Sequence, residues 1–184
     1  MYAEKLQRFE SAENLGSDDN SEPSQLNKYA DELNDEAEDV LSYSVNKRGL
    51  IMYAEKLKQF ENTENLAGKA WEHAVLIDFT AKSGIKDCAM HCFHYQQMLE
   101  MLLKHTLETR SEFGSYSKTH KLYRLLEEVI ASTPFRTDKS KYFMALQVIS
   151  VCAEEYRYNF LLDCLGYWEG VKVADELLEQ LLVF

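Results

Sequence analysis

The stretch from Asp87 to His105, Asp-Cys-Ala-Met-His-Cys-Phe-His-Tyr-Gln-Gln-Met-Leu-Glu-Met-Leu-Leu-Lys-His, holds no glycine and no proline. It is rich in Leu, Met, Gln, Glu and Lys, which lose little side-chain freedom in a helix. At 100° per residue, Cys88, Cys92, Tyr95, Leu99, Leu102 and Leu103 gather on one side. Gln96, Glu100 and Lys104 follow one another at i, i+4 and i+8 along an edge of that side, with Phe93 and Gln97 beside them. A helix this apolar packs at the centre of a domain, and the polar row at its margin must find partners or a ligand.

The whole chain is punctuated in the same sparse way, with two prolines and seven glycines in 184 residues. Long helices tolerate that scarcity; a sandwich or barrel with many tight turns does not. Helical periodicity runs from Met52 to about Ala81 through Leu57, Phe60, Ala67, Ala70, Ala74 and Ile77, and Ser83-Gly84 ends it. The central helix continues to about Thr109, and residues 110–118 form a loop. Thr119 or Ser117 is placed to cap a helix over Lys121–Ile130, which Ser132-Thr133-Pro134 stops. Asp138 begins another, with Phe143, Leu146, Ile149 and Val151 in its core pattern, and Gly166 marks a boundary before a last amphipathic helix, Tyr167–Leu182. The pattern predicts an all-α fold, an antiparallel bundle of four to five helices over residues 52–184 with an N-terminal extension over residues 1–51.

The extension is acidic, with 5 Lys/Arg against 12 Asp/Glu; it takes most of the net charge of −11. Residues 16–26 read as a polar linker, and residues 27–45 as a short amphipathic helix with a solvated acidic face. Its first fifteen residues, MYAEKLQRFESAENL, match residues 52–66, MYAEKLKQFENTENL, at eleven positions. A single repeat at a spacing of 51 is no solenoid. The plain reading is a partial duplication of the start of the domain. The sharper one is that residues 1–15 can occupy the place of residues 52–66, in the same subunit or a neighbour.

Net acidity excludes a molecule that binds nucleic acid over its whole surface, yet leaves room for a basic patch in residues 52–184. No apolar run approaches a membrane span. The four cysteines, Cys88, Cys92, Cys152 and Cys164, form no CxxC pair and read as reduced thiols of a cytoplasmic protein. On the wheel His94 stands about 120° or more from both Cys88 and Cys92, so that helix cannot close a zinc site; no metal and no cofactor is expected. GxSxG, HExxH and phosphate-loop motifs are absent, which leaves hydrolytic and nucleotide-hydrolysing chemistry unsupported. What remains is a set of polar residues in three helical regions: His94, Gln97, Glu100 and Lys104; His120; and Glu154-Glu155-Tyr156-Arg157-Tyr158-Asn159. Arg157 stands among aromatic and aliphatic residues and needs a carboxylate or a ligand, with Glu100 a candidate partner.

These residues resemble a family. Phe93-His94-x-x-Gln97-x-x-Glu100-x-x-x-Lys104, then Thr119-His120-x-Leu122-x-x-Leu125-Leu126, then Arg157-Tyr158 is similar to the HEPN domain, over about residues 60–182. The resemblance implies an all-α bundle, a homodimer, and a setting beside nucleotidyltransferases or in toxin–antitoxin systems. It also implies that His94, Gln97, Glu100, Lys104, His120, Arg157 and Tyr158 belong to the family's polar pattern. Asn159 departs from the frequent Arg-Tyr-Pro form. Ribonuclease members use an Arg and a His separated by four to six residues; no arginine here has a His five to seven positions downstream. Asp163 stands at a suitable separation from Arg157, but a carboxylate replaces an imidazole poorly beside phosphate. The expectation is therefore a non-catalytic dimeric module for a nucleotide, RNA or a partner nucleotidyltransferase. An atypical ribonuclease toxin and a purely structural helical interaction protein are the alternatives.

Overall fold

A computed structural model describes residues 52–83, 88–158 and 164–184, with side chains described for 52–83, 90–154 and 166–184. The extension over residues 1–51, with its linker and acidic helix, lies outside the described residues. Within them the fold is all-α: α1 (Tyr53–Lys56) and a 3-10 turn (Lys58–Phe60), then α2 (Leu66–Lys82), α3 (Cys88–Arg110), α4 (Leu122–Ser132), α5 (Lys139–Tyr158) and α6 (Cys164–Val183). No strand occurs among the described residues.

The helix at the centre of the sequence is also central in space: α3 packs against α2, α4, α5 and α6. Its Tyr95, Met98, Leu99, Leu103 and Leu107 are fully buried, because residues three and four apart lie on one face. Contacts between named residues set the helix directions. His91 and Tyr95 of α3 meet Tyr167 and Asp175 of α6 in that order, so the two run the same way. Tyr142 of α5 meets Gln180, while Ala145 and Ile149 flank Gly170, so α5 runs opposite to α6. Helix α4 is antiparallel to α5, with Tyr123 on Phe143 and Glu127 on Lys139. It therefore runs in the direction of α3, which a tight turn cannot arrange. Residues 111–121 solve this by doubling back along α3, with Tyr116 beside Lys104 and His120 beside Glu100.

Four details differ from the sequence reading. The helix expected over Met52–Ala81 is broken at residues 61–65. Asn62 takes the left-handed conformation at φ 61°, and the Asn65 side chain accepts from the backbone N–H of Gly68 to start α2 afresh. Helix α4 does not use Thr119 or Ser117 as its cap. Its first N–H, at Leu122, donates to the hydroxyl of Ser150 in α5, and Thr119 accepts from Lys121 one residue too early. Gly166 is no boundary, since α6 begins at Cys164. In α5, Leu146 and Ile149 are buried as the pattern predicts, but Phe143 and Val151 are exposed; Tyr142, Ala145, Cys152 and Ala153 complete the buried stripe.

The break at 61–65 is as tight as a chain allows. A Cβ on Gly68 would stand 1.9 Å from the carbonyl oxygen of Thr63 and 2.7 Å from its hydroxyl. Backbone, not a movable side-chain end, fills the space. Gly68→Ala is expected to cost roughly 2 kcal/mol through forced displacement of the turn. Urea unfolding of the two proteins would measure it, and an unchanged midpoint would show that the turn yields freely.

Candidate functional site

The polar row of α3 closes on a single carboxylate. Glu100 is 1% exposed. Its Oε1 accepts from the Lys104 ammonium at 2.7 Å, one turn further along α3, and faces Nδ1 of His120 at 2.9 Å. Its Oε2 accepts from Gln96 at 2.8 Å and more distantly from Gln97 at 3.4 Å. Gln96 also donates to the carbonyl of His120 at 3.0 Å, and Gln97 donates to the Gln96 side-chain oxygen. The returning loop is thereby pinned to α3 through both the backbone and the ring of His120.

This arrangement decides the charge state of Glu100. Burial by itself would push the carboxyl up, but hydrogen bonds from Lys104, Gln96 and His120, with the charge of Lys104, outweigh it and hold the group below its ordinary value. Glu100 is thus a carboxylate whose lone pairs are spoken for. Lys104, 7% exposed, sits with its ammonium 5.4 Å from the centre of the Tyr116 ring. His120 is the outward member, its side chain 63% exposed while its Nδ1 is tethered.

Of the residues the sequence singles out, Gln97, Glu100, Lys104 and His120 come together. His94 does not join them. Its Nδ1 lies 3.0 Å from Nδ1 of His73 in α2, with Phe93 edge-on to both rings. Burial lowers the pKa of both histidines, and for His73 the neighbouring His94 lowers it further. One ring therefore donates and the other accepts. The side chains of Arg157 and Tyr158 lie outside the described residues, as does the pairing of Arg157 with Glu100. Cys92 and Cys152 are buried, while the side chains of Cys88 and Cys164 lie outside the description. Among the described residues no group of three His, Cys, Asp or Glu stands close enough to hold a metal ion. No described helix is long and apolar enough to cross a membrane.

Two groups stand outside the candidate site residues of the sequence reading. Gln96, named there in the polar row alone, ties Glu100 to the loop through its amide. The other is a buried cluster below the polar row. Tyr95 donates to Asp175 at 2.8 Å, His91 Nδ1 meets the Tyr167 hydroxyl at 2.6 Å, and the His91 ring lies 4.5 Å from that of Trp168. Asp175, on the same face of α6 as Val171, Ala174 and Leu178, is a carboxylate in an apolar stripe, a signal open to sequence inspection.

The protein is thus an α-helical bundle whose central helix buries a Gln–Glu–Lys row against a returning His loop. The family model of the HEPN domain matches residues 78–179, more than half of the chain, and the chain belongs to that family. The match runs from Asp78 in α2 to Glu179 in α6, inside the span of the resemblance, and leaves α1 outside. Comparison with curated proteins and with solved structures gave no match.

Proposed function

We propose that this HEPN domain is a non-catalytic module that pairs as a homodimer and binds a nucleotide or RNA segment, or docks a partner nucleotidyltransferase, in a toxin–antitoxin or defence setting. The observation that carries the non-catalytic part is the saturation of Glu100. A general base needs a free lone pair within reach of its substrate. Glu100 is sealed from solvent, and Lys104, Gln96 and His120 occupy both of its oxygens. The sequence adds that no Arg–His pair of ribonuclease spacing exists. Support for binding is the exposed His120 imidazole, held by Glu100 on a loop that Gln96 ties to α3 through the His120 carbonyl. Arg157 supplies the cation for phosphate in this reading.

Labelled RNA incubated with the purified full-length protein tests it, with Arg157→Ala in parallel. The expected result is retention without cleavage, and calorimetric binding of RNA or a nucleotide that weakens in Arg157→Ala and His120→Ala. Cleavage that disappears in Arg157→Ala would establish an atypical ribonuclease instead. No binding to ATP, other nucleotides or RNA, with no nucleotidyltransferase co-purifying, would reduce the network to a structural lock.

A further inference from the structure

Residues 52–66 lie wholly before the family match, and α2, α3 and α6 build a seat for them. Asp78 of α2 accepts the backbone N–H groups of Tyr53 and Ala54 at 2.9 and 2.8 Å, capping α1 from another helix. The Tyr53 ring, 4% exposed, stands edge-on to Tyr95 of α3, and its hydroxyl donates to Asp175 of α6 at 3.1 Å. Leu57 is fully buried, Lys56 pairs with Glu179, and Phe60 packs edge-on against His105.

Every one of these docking residues recurs in the N-terminal copy, as Tyr2, Ala3, Lys5, Leu6 and Phe9. The two segments differ at four positions: Gln7 for Lys58, Arg8 for Gln59, Ser11 for Asn62 and Ala12 for Thr63. All four changes fall on exposed positions, although only eight of the fifteen positions of residues 52–66 are exposed. Drift after a duplication has no reason to spare the docking face. A segment that still uses the seat does.

We propose that the seat is an exchange site, which residues 1–15 of the same chain occupy in place of residues 52–66. The changes also rank the occupants. Thr63 hydrogen-bonds the Phe60 carbonyl and Asn65, and Asn62 holds the left-handed turn. Ser11 and Ala12 support that turn less well, so residues 52–66 are the resident and residues 1–15 the challenger. Residues 16–51 can reach roughly 100 Å when extended, enough to span a domain of this size. A tethered segment acts at an effective concentration of about millimolar, far above that of a second chain in dilute solution, which favours exchange within one chain.

Three variants of the full-length protein test this by thermal unfolding. Tyr53→Ala/Leu57→Ala is expected to lower Tm by only a few degrees, because the copy takes the vacated seat. Tyr2→Ala/Leu6→Ala should leave Tm unchanged. All four substitutions together should lower it by roughly 10 °C more than the first pair, since two large buried side chains are then lost without a substitute. A first pair as damaging as the quadruple variant, or unable to fold, overturns the proposal. A zero-length carbodiimide cross-link gives an independent reading. In Tyr53→Ala/Leu57→Ala, Lys5 should couple to Glu179 within monomeric protein. Should Tm prove insensitive to all three variants, that cross-link decides. Its absence, or its formation only between isotopically distinct chains, rejects intramolecular exchange.

Discussion

Glu100→Ala is expected to destabilise the protein by about 3–5 kcal/mol, the cost of leaving a buried partner charge uncompensated. Lys104 has its side chain only 9% exposed, and its ammonium donates to Glu100. Without that carboxylate the buried ammonium is left without its counter-charge, and its surroundings must open to water. His120 loses its tether as well, but its ring is largely in solvent and recovers hydrogen bonds there. The damage therefore comes through Lys104. Glu100→Leu combined with Lys104→Met should recover most of the loss, because two apolar side chains of similar volume owe no desolvation penalty. Denaturant midpoints of the single and double variants measure both effects. A single variant within 1 kcal/mol of wild type would mean that Lys104 reaches water unaided. The linkage has a fixed sign. The folded pKa of Glu100 lies below its ordinary 4.5, so its contribution is complete above that value and disappears as pH falls through the folded one. The gap between wild type and Glu100→Ala should close in acid.

How much of this was legible beforehand differs from residue to residue. The row Gln96, Glu100 and Lys104 is legible because a helix on its own places i, i+4 and i+8 together. That His120 completes it is not a local property; it depends on residues 111–121 running back along α3. The resemblance to the family carried that information, since its spaced motifs encode a shared tertiary arrangement. Periodicity located α5 and the middle of its buried face, Leu146 and Ile149, but misassigned the edges. Phe143 and Val151 satisfied the apolar pattern, while their neighbours Tyr142 and Cys152 are the residues that are buried. Exposed apolar side chains are common enough that hydrophobicity alone cannot choose between adjacent positions at the edge of a stripe. The break before α2 was written in Asn62, Asn65 and Gly68, all turn or cap residues. Flanking apolar positions at helical spacing outweighed them in the reading. The seat of α1 was beyond reach, because Asp78 and Asp175 act on residues 24 to 122 positions away.

Acid should weaken the protein well before its carboxylates titrate, through His91. The ring stacks at 5.9 Å on Tyr95 and lies against Trp168 and Tyr167, and burial drives its pKa down to about 3, with His94 adding to the effect. A base whose folded pKa lies below its unfolded value of 6.5 binds its proton first in the unfolded chain. Stability is then whole above 6.5 and falls steadily as pH drops toward 3. At pH 5 the loss from this one group is about 2 kcal/mol relative to pH 8, from 1.36 kcal/mol per pH unit. His73, His94 and His105, all lowered by burial, add in the same direction. His91→Asn isolates the first contribution. Its amide can still hydrogen-bond the Tyr167 hydroxyl, so the packing cost at pH 8 should be about 1 kcal/mol, while the loss between pH 8 and pH 5 should shrink. Urea unfolding of both proteins at pH 8, 6.5 and 5 checks this. Parallel pH dependences in wild type and variant would mean that the His91 proton is accommodated without unfolding, and that the aromatic wall around it opens to water.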